Sequence, residues 1–243
     1  MDDQLEATGA SPTVVLVHGA FADAAGWDAV IGELQQDGIP VMAIANPLRG
    51  LASDTDYVRA ILSTLDGPLV LVGHSYGGAV ITNAAAGNDN VHALVFVAAF
   101  VPDEGESLVQ FADPTLYPGA LLGPEALIVR PYPGGAEASI EPARFREIFA
   151  ADLPVEDTVR MAVRQRPVAL SVFEEPSSYP AWRDIPSWYQ VSNQDKAISP
   201  IAERFFARRA GSRTVEIDAS HAGFISHAGD TARLIKEAAR SRR

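Results

Sequence analysis

The chain predicts an α/β fold, with a mostly parallel central sheet and helices on both of its faces. Three observations carry that expectation. Short apolar runs recur through roughly the first hundred residues without the alternation of a half-buried strand, so both faces of each strand are covered. Segments with apolar residues at helical spacing separate those runs. One run, Val70-Leu71-Val72, leads straight into Gly73-His74-Ser75-Tyr76-Gly77-Gly78, a G-x-S-x-G pattern with a strand before it and a helix-compatible segment after it.

Each element has its own justification. After an acidic leader over residues 1–11, expected to be mobile, residues 13–17 read as a fully buried strand followed by the loop His18-Gly19-Ala20-Phe21-Ala22. Asp23 reads as the N-cap of a helix whose Trp27, Val30, Ile31 and Leu34 share one stripe, ending near Gly38. Residues 41–45 form the next strand. Ser53 or Asp54 opens a second helix, with Val58, Ile61, Leu62 and Leu65 on one face and Asp66-Gly67-Pro68 closing it. Residues 69–72 are the strand before the serine, 79–86 the helix after it, and 92–98 another buried strand.

Residues 103–180 break this rhythm. Prolines and glycines crowd here (Pro114, Pro118, Gly119, Gly123, Pro124, Pro131, Pro133, Gly134, Gly135), followed by helix-like pieces near 142–149 and 155–164. The expectation is a small helical cap over the C-terminal edge of the sheet, within a single domain spanning 1–243; a second small domain is the alternative. Regular structure resumes with a strand at 187–191 that ends at Ser192-Asn193-Gln194-Asp195. Ser199-Pro200 starts a helix as N-cap and N1 proline, running to Gly211. Residues 214–217 are the last strand, leading to Asp218-Ala219-Ser220-His221, and Asp230 caps a closing helix that carries Leu234 and Ile235.

Composition narrows the function classes. The net charge of −12 opposes binding to nucleic acid or to anionic membranes. The longest apolar run, residues 93–101, is far shorter than the ~20 residues of a membrane helix. The N-terminus lacks the basic and apolar regions of a signal peptide, and there are no cysteines for disulfides or thiolate metal sites. A cytoplasmic location is expected. Nothing fixes an oligomeric state, a homodimer included. No H-E-x-x-H, no P-loop and no dinucleotide fingerprint is present, so no cofactor or metal is expected.

The chemistry follows from the serine. A serine hydroxyl becomes a useful nucleophile only when a base takes its proton and a third group fixes that base's tautomer. Strand–turn–helix serine enzymes order these groups as serine, acid, histidine, each just past a strand's C-terminal end. Ser75, Asp195 and His221 meet both conditions. Among the rivals, His92 starts a strand at the far edge of the sheet, and the side chain of His74 points away from the turn. His18 reads as structural, and His227 lies near a helix start. Asp218 is the competing acid. An oxyanion needs two preorganised N–H donors, one from Tyr76 just after the serine and one from Ala20 in the first loop. Phe21 and Phe100, with the Tyr76 ring, are candidates to line an apolar substrate pocket.

These motifs resemble the α/β-hydrolase superfamily, and within it the branch of plant methyl-salicylate esterases, hydroxynitrile lyases and small bacterial esterases. The resemblance rests on Val15-Leu16-Val17-His18-Gly19-Ala20, Val72-Gly73-His74-Ser75-Tyr76-Gly77-Gly78, Val97-Ala98-Ala99-Phe100-Val101-Pro102-Asp103, Gln194-Asp195-Lys196 and Ala219-Ser220-His221. It spans nearly the whole chain, with the cap matching least, and it puts that cap after the sixth strand of the family pattern. It implies Ser75 as nucleophile, His221 as base, Asp195 as orienting acid, and Ala20 and Tyr76 as oxyanion donors. Hydroxynitrile lyases of this branch carry a lysine after the histidine and a threonine in the first loop, where this chain has Ala222 and Gly19. The expected activity is therefore hydrolysis of a small, largely apolar ester or lactone through an acyl-enzyme. A carbon–carbon lyase and a ligand receptor on the same scaffold are the alternatives.

Overall fold

The computed structural model describes residues 11–241. Apart from Ser11, the leader read over residues 1–11 lies outside them. Six parallel strands form the central sheet in the order β2-β1-β3-β4-β8-β9. The first half alternates as expected: β1 (Thr13–Val17), α1 (Asp28–Gln36), β2 (Val41–Ile44), α2 (Leu51–Leu62), β3 (Leu69–His74), α3 (Tyr76–Ala84) and β4 (Val91–Val97). The segment that follows carries β5 (Leu127–Tyr132), β6 (Gly135–Ile140), α4 (Pro142–Phe149), α5 (Val155–Val163), β7 (Val168–Ala169) and α6 (Ser171–Glu174). The chain then returns to the sheet with β8 (Ser187–Ser192), α7 (Pro200–Arg209), β9 (Arg213–Ile217), α8 (Gly223–Ser226) and α9 (Ala228–Arg240).

The doubly apolar strands supply two cores. Val14, Leu16, Val70, Val72, Val95 and Val97 face Trp27, Val30 and Leu34 on the α1 side, with Leu234 and Ile235 of α9. Their neighbours Val15, Val17, Leu69, Leu71, Leu94 and Phe96 face the opposite way, against Val58, Leu62, Val80, Ile81 and Phe206. Alternation places successive side chains on opposite faces, so burial on both faces requires apolar residues at every position.

Three sequence expectations need correction. The segment between β4 and β8 is not purely helical: β5, β6 and β7 form a three-stranded antiparallel sheet. The β5–β6 hairpin turns at Pro133-Gly134, where Gly134 takes φ +107°, a conformation open to glycine without steric cost. Helix α2 begins at Leu51, ahead of Ser53 and Asp54. Asp54 instead lies buried in the first turns, and its carboxylate accepts the Arg49 N–H at 3.1 Å. Asp230 sits in the first turn of α9 rather than capping it.

Candidate active site

Ser75 occupies the corner between β3 and α3 with φ +54° and ψ −125°, a strained conformation for a residue with a Cβ. The surrounding glycines make the corner possible. A Cβ on Gly73 would stand 2.5 Å from the Gly77 carbonyl oxygen, and one on Gly19 would stand 2.5 Å from the Ser75 Cβ. Phe21 and Ala98, in the two neighbouring loops, also adopt positive φ. The corner is anchored by the Ser75 N–H donating to Val97 and by the Phe100 N–H donating to the Ser75 carbonyl.

Parallel pairing puts the ends of β3, β8 and β9 on one edge of the sheet, so residues far apart in the sequence meet there. His221 and Asp195 are both buried, and the ring Nδ1 lies 2.5 Å from Asp195 Oδ2. The other carboxylate oxygen, Oδ1, accepts the N–H groups of Ala197 at 2.6 Å and Ile198 at 2.9 Å. This acceptor can pair only with a protonated Nδ1, which leaves Nε2 as the free basic nitrogen. Asp218, the competing acid, accepts from the half-buried Asn193 side chain instead. Among the described residues no hydrogen bond joins Ser75 Oγ to His221; such bonds often form only once substrate is bound.

The other histidines hold the frame. The His18 Nε2 accepts the Asn46 N–H at 3.0 Å, so its Nδ1 is the donor to the Gly19 carbonyl at 2.9 Å and braces the first loop. Burial lowers its pKa to about 4, keeping it neutral. The His74 Nε2 lies 3.0 Å from the His221 carbonyl oxygen, and its ring packs against Phe224 with centroids 4.4 Å apart. Burial pushes His74 well below the usual histidine range, and the approach of His221 adds to the shift. His92 sits near the start of β4, away from the C-terminal edge, and His227 bonds Ser226.

The Ala20 and Tyr76 amides are unengaged by other groups among the described residues, and Tyr76 is the first residue of α3, where N–H groups lack intrahelical partners. The Tyr76 side chain, by contrast, is buried. It turns into the core under α2 and donates its hydroxyl to Asp54 at 2.8 Å. Burial raises both groups above their ordinary values. Phe21 lines a groove of about 270 Å³ with Phe145, Phe149, Met161 and Phe224, and Asp157, Arg160 and Arg164 stand at the same groove. Neither Ser75 nor His221 lines it; the link is Phe149, whose ring meets His221 edge-on at 4.9 Å. Phe100 packs elsewhere, against Phe206 and Phe111. Among the described residues no three His, Asp or Glu side chains gather into a group that could hold a metal ion.

A strained serine corner, an adjacent His–Asp pair and two unengaged amides therefore share one edge of a parallel sheet. The model of the Alpha/beta hydrolase family matches residues 14–234. The chain belongs to the alpha/beta hydrolase family. It is 28% identical to Methylesterase 8 of Arabidopsis thaliana over 215 residues, 79% of this chain and 75% of that protein. It is 22% identical to the Alpha/beta hydrolase nvfD of Aspergillus novofumigatus over 94% of this chain and 96% of that one. In structure this alpha/beta hydrolase is similar to a pyrethroid hydrolase from Sphingobium faniae JZ-2, with a TM-score of 0.79, 24% identity, and coverage of 95% of this chain and 98% of that one. It is likewise similar to polyneuridine aldehyde esterase, with a TM-score of 0.78, 20% identity, and coverage of 93% and 98%.

Two residues at this site escape sequence reasoning. His74 reads from sequence only as a rival base whose side chain points away from the turn, yet its ring reaches the loop of His221. Glu203 draws no reading from the sequence. Its one signal is its position on the apolar stripe of α7, three residues before Phe206 and four before Ala207, and it is fully buried.

Proposed function

We propose that this chain is a serine-nucleophile carboxylic-ester hydrolase acting on small, largely apolar esters or lactones. The observation that carries the reading is the buried 2.5 Å His221–Asp195 contact on the same sheet edge as the strained Ser75 corner. In the proposed mechanism, Nε2 of His221 takes the Ser75 proton as the hydroxyl attacks the ester carbonyl. The developing oxyanion meets the Ala20 and Tyr76 amides. His221 then protonates the departing alcohol, leaving an acyl-Ser75, and a water activated by the same imidazole releases the acid.

The relatives support this reading, since their names include methylesterase, esterase and pyrethroid hydrolase. We assign residues 103–180 the role of a cap within a single domain, with Phe21 contacting the substrate's apolar group and Phe100 forming a wall beside the serine loop. The composition accords with a cytoplasmic enzyme. Among the described residues no helix is long and apolar enough to cross a membrane. The carbon–carbon lyase reading is weakened by Ala222, a buried apolar residue where that chemistry would use a cation. The test is turnover of p-nitrophenyl acetate by wild type and Ser75→Ala. Turnover that vanishes in the variant supports the hydrolase; mandelonitrile cleavage without ester turnover supports the lyase, and ligand binding with neither supports a receptor.

A further inference from the structure

Helix α7 carries a carboxyl group that the mechanism does not use. Glu203 is wholly buried, its Oε2 accepts the Ser192 N–H at 3.0 Å, and its Oε1 receives no donor among the described residues. Its carboxyl also lies within hydrogen-bonding reach of the Asp195 side chain. Two carboxyl groups facing each other away from water cannot both stay charged; one keeps a proton.

We propose that Glu203 is a positioning residue whose protonated carboxyl donates a hydrogen bond to the Asp195 carboxylate and holds it in register with His221. The distribution of donors decides which partner carries the proton. Asp195 accepts from Ala197, Ile198 and His221, so a negative charge is well solvated there, whereas Glu203 has the single Ser192 N–H. Burial, and then the negative charge of Asp195, push the Glu203 proton affinity up. The other charged or titratable groups nearby do not neutralise it. Arg204, the next residue on α7, points to Glu216 and Asn193, and the Tyr189 hydroxyl on β8 donates to the Ala99 carbonyl. A protonated Glu203 also explains how Oε1 is satisfied, since it would be the donor rather than an acceptor left empty.

This inference rests on the hydrolase reading for its kinetic consequence, but not for the proton itself. The experiment measures kcat/KM for p-nitrophenyl acetate against pH in the intact protein for wild type, Ser75→Ala, Glu203→Gln and Glu203→Leu, together with the infrared difference spectrum of wild type against Glu203→Gln at neutral pH. The spectrum should show a protonated-carboxyl C=O stretch in wild type that disappears in Glu203→Gln. Leucine removes the donor and leaves Asp195 more basic, so the acid limb of the profile should move up by roughly one pH unit. The kcat of that variant should fall about tenfold with KM held. Glutamine restores a neutral donor, and its limb should return to the wild-type position.

A missing band, or a limb that moves down in Glu203→Gln, means an ionised Glu203 and overturns the proposal. A Glu203→Leu limb that coincides with wild type means mere space-filling and overturns it as well. If Glu203→Leu does not fold, the band and the Glu203→Gln limb decide the matter. Turnover surviving in Ser75→Ala with the band present would sink the hydrolase reading alone; a missing band with Ser75→Ala inactive would sink the Glu203 assignment alone.

Discussion

His74 and His221 lie 147 positions apart, and the ring Nε2 of the first meets the backbone carbonyl of the second at 3.0 Å. Burial holds His74 neutral, so Nε2–H is the donor and the loop after β9 is tied to the end of β3. The same loop is held from the other side, where the Ala222 N–H donates to the Phe149 carbonyl and Ser220 bonds Asp152. His221 is therefore set in place by backbone anchors as well as by its bond to Asp195.

Replacing His74 with Phe preserves the packing against Trp27 and Phe224 and removes the donor. The orphaned His221 carbonyl should cost about 1–3 kcal/mol of stability. Urea unfolding measures it directly, and an unchanged midpoint would mean that the bond contributes nothing.

Acid should weaken the fold through His18. Its pKa falls from 6.5 unfolded to about 4 folded, so the unfolded chain binds the extra proton first. This contribution to stability is complete above pH 6.5 and shrinks as pH drops towards about 4, by about 3 kcal/mol for this group alone. Unfolding free energies measured across that window should slope downward with acid, and His18→Gln should flatten part of the slope.

Gly19→Ala tests the first loop. The new Cβ would stand 2.5 Å from the Ser75 Cβ and 2.8 Å from the His74 carbonyl oxygen, so the loop bearing the Ala20 amide must move. The loss of one oxyanion donor should lower kcat by about 10²–10³-fold while the protein stays folded. Wild-type kcat in a variant with an intact circular dichroism spectrum would remove Ala20 from the proposed mechanism.

Asp195→Asn should reduce kcat by roughly 10⁴-fold, because an amide can present an N–H to Nδ1 and reverse the imidazole tautomer. Steady-state kinetics on a chromogenic ester would show it, and an unaltered rate would return the orienting role to Asp218.

Much of this framework is legible in the residues themselves. Strands such as those read over 69–72 and 92–98 are apolar on both faces because helices cover both, and that pattern survives without any tertiary knowledge. The glycines around Ser75 are equally readable, since a steric need at the turn dictates each of them. The β5–β6–β7 sheet was not readable: β5 has no buried position and carries Pro131, β6 buries only Ala138 and Ile140, and β7 is two residues long. The Tyr76 ring was misread and Glu203 went unread for a related reason. The direction of a helical side chain depends on which neighbour covers it, and that neighbour is α2 for one and β8 for the other.

Covalent labelling of the intact protein with a fluorophosphonate, followed by peptide mass spectrometry, asks whether Ser75 is the nucleophile and His221 its base. A single phosphonyl adduct should form on Ser75, rapidly in wild type and far more slowly in His221→Ala. An adduct on another residue, or equally fast labelling of Ser75 without the imidazole, would contradict it.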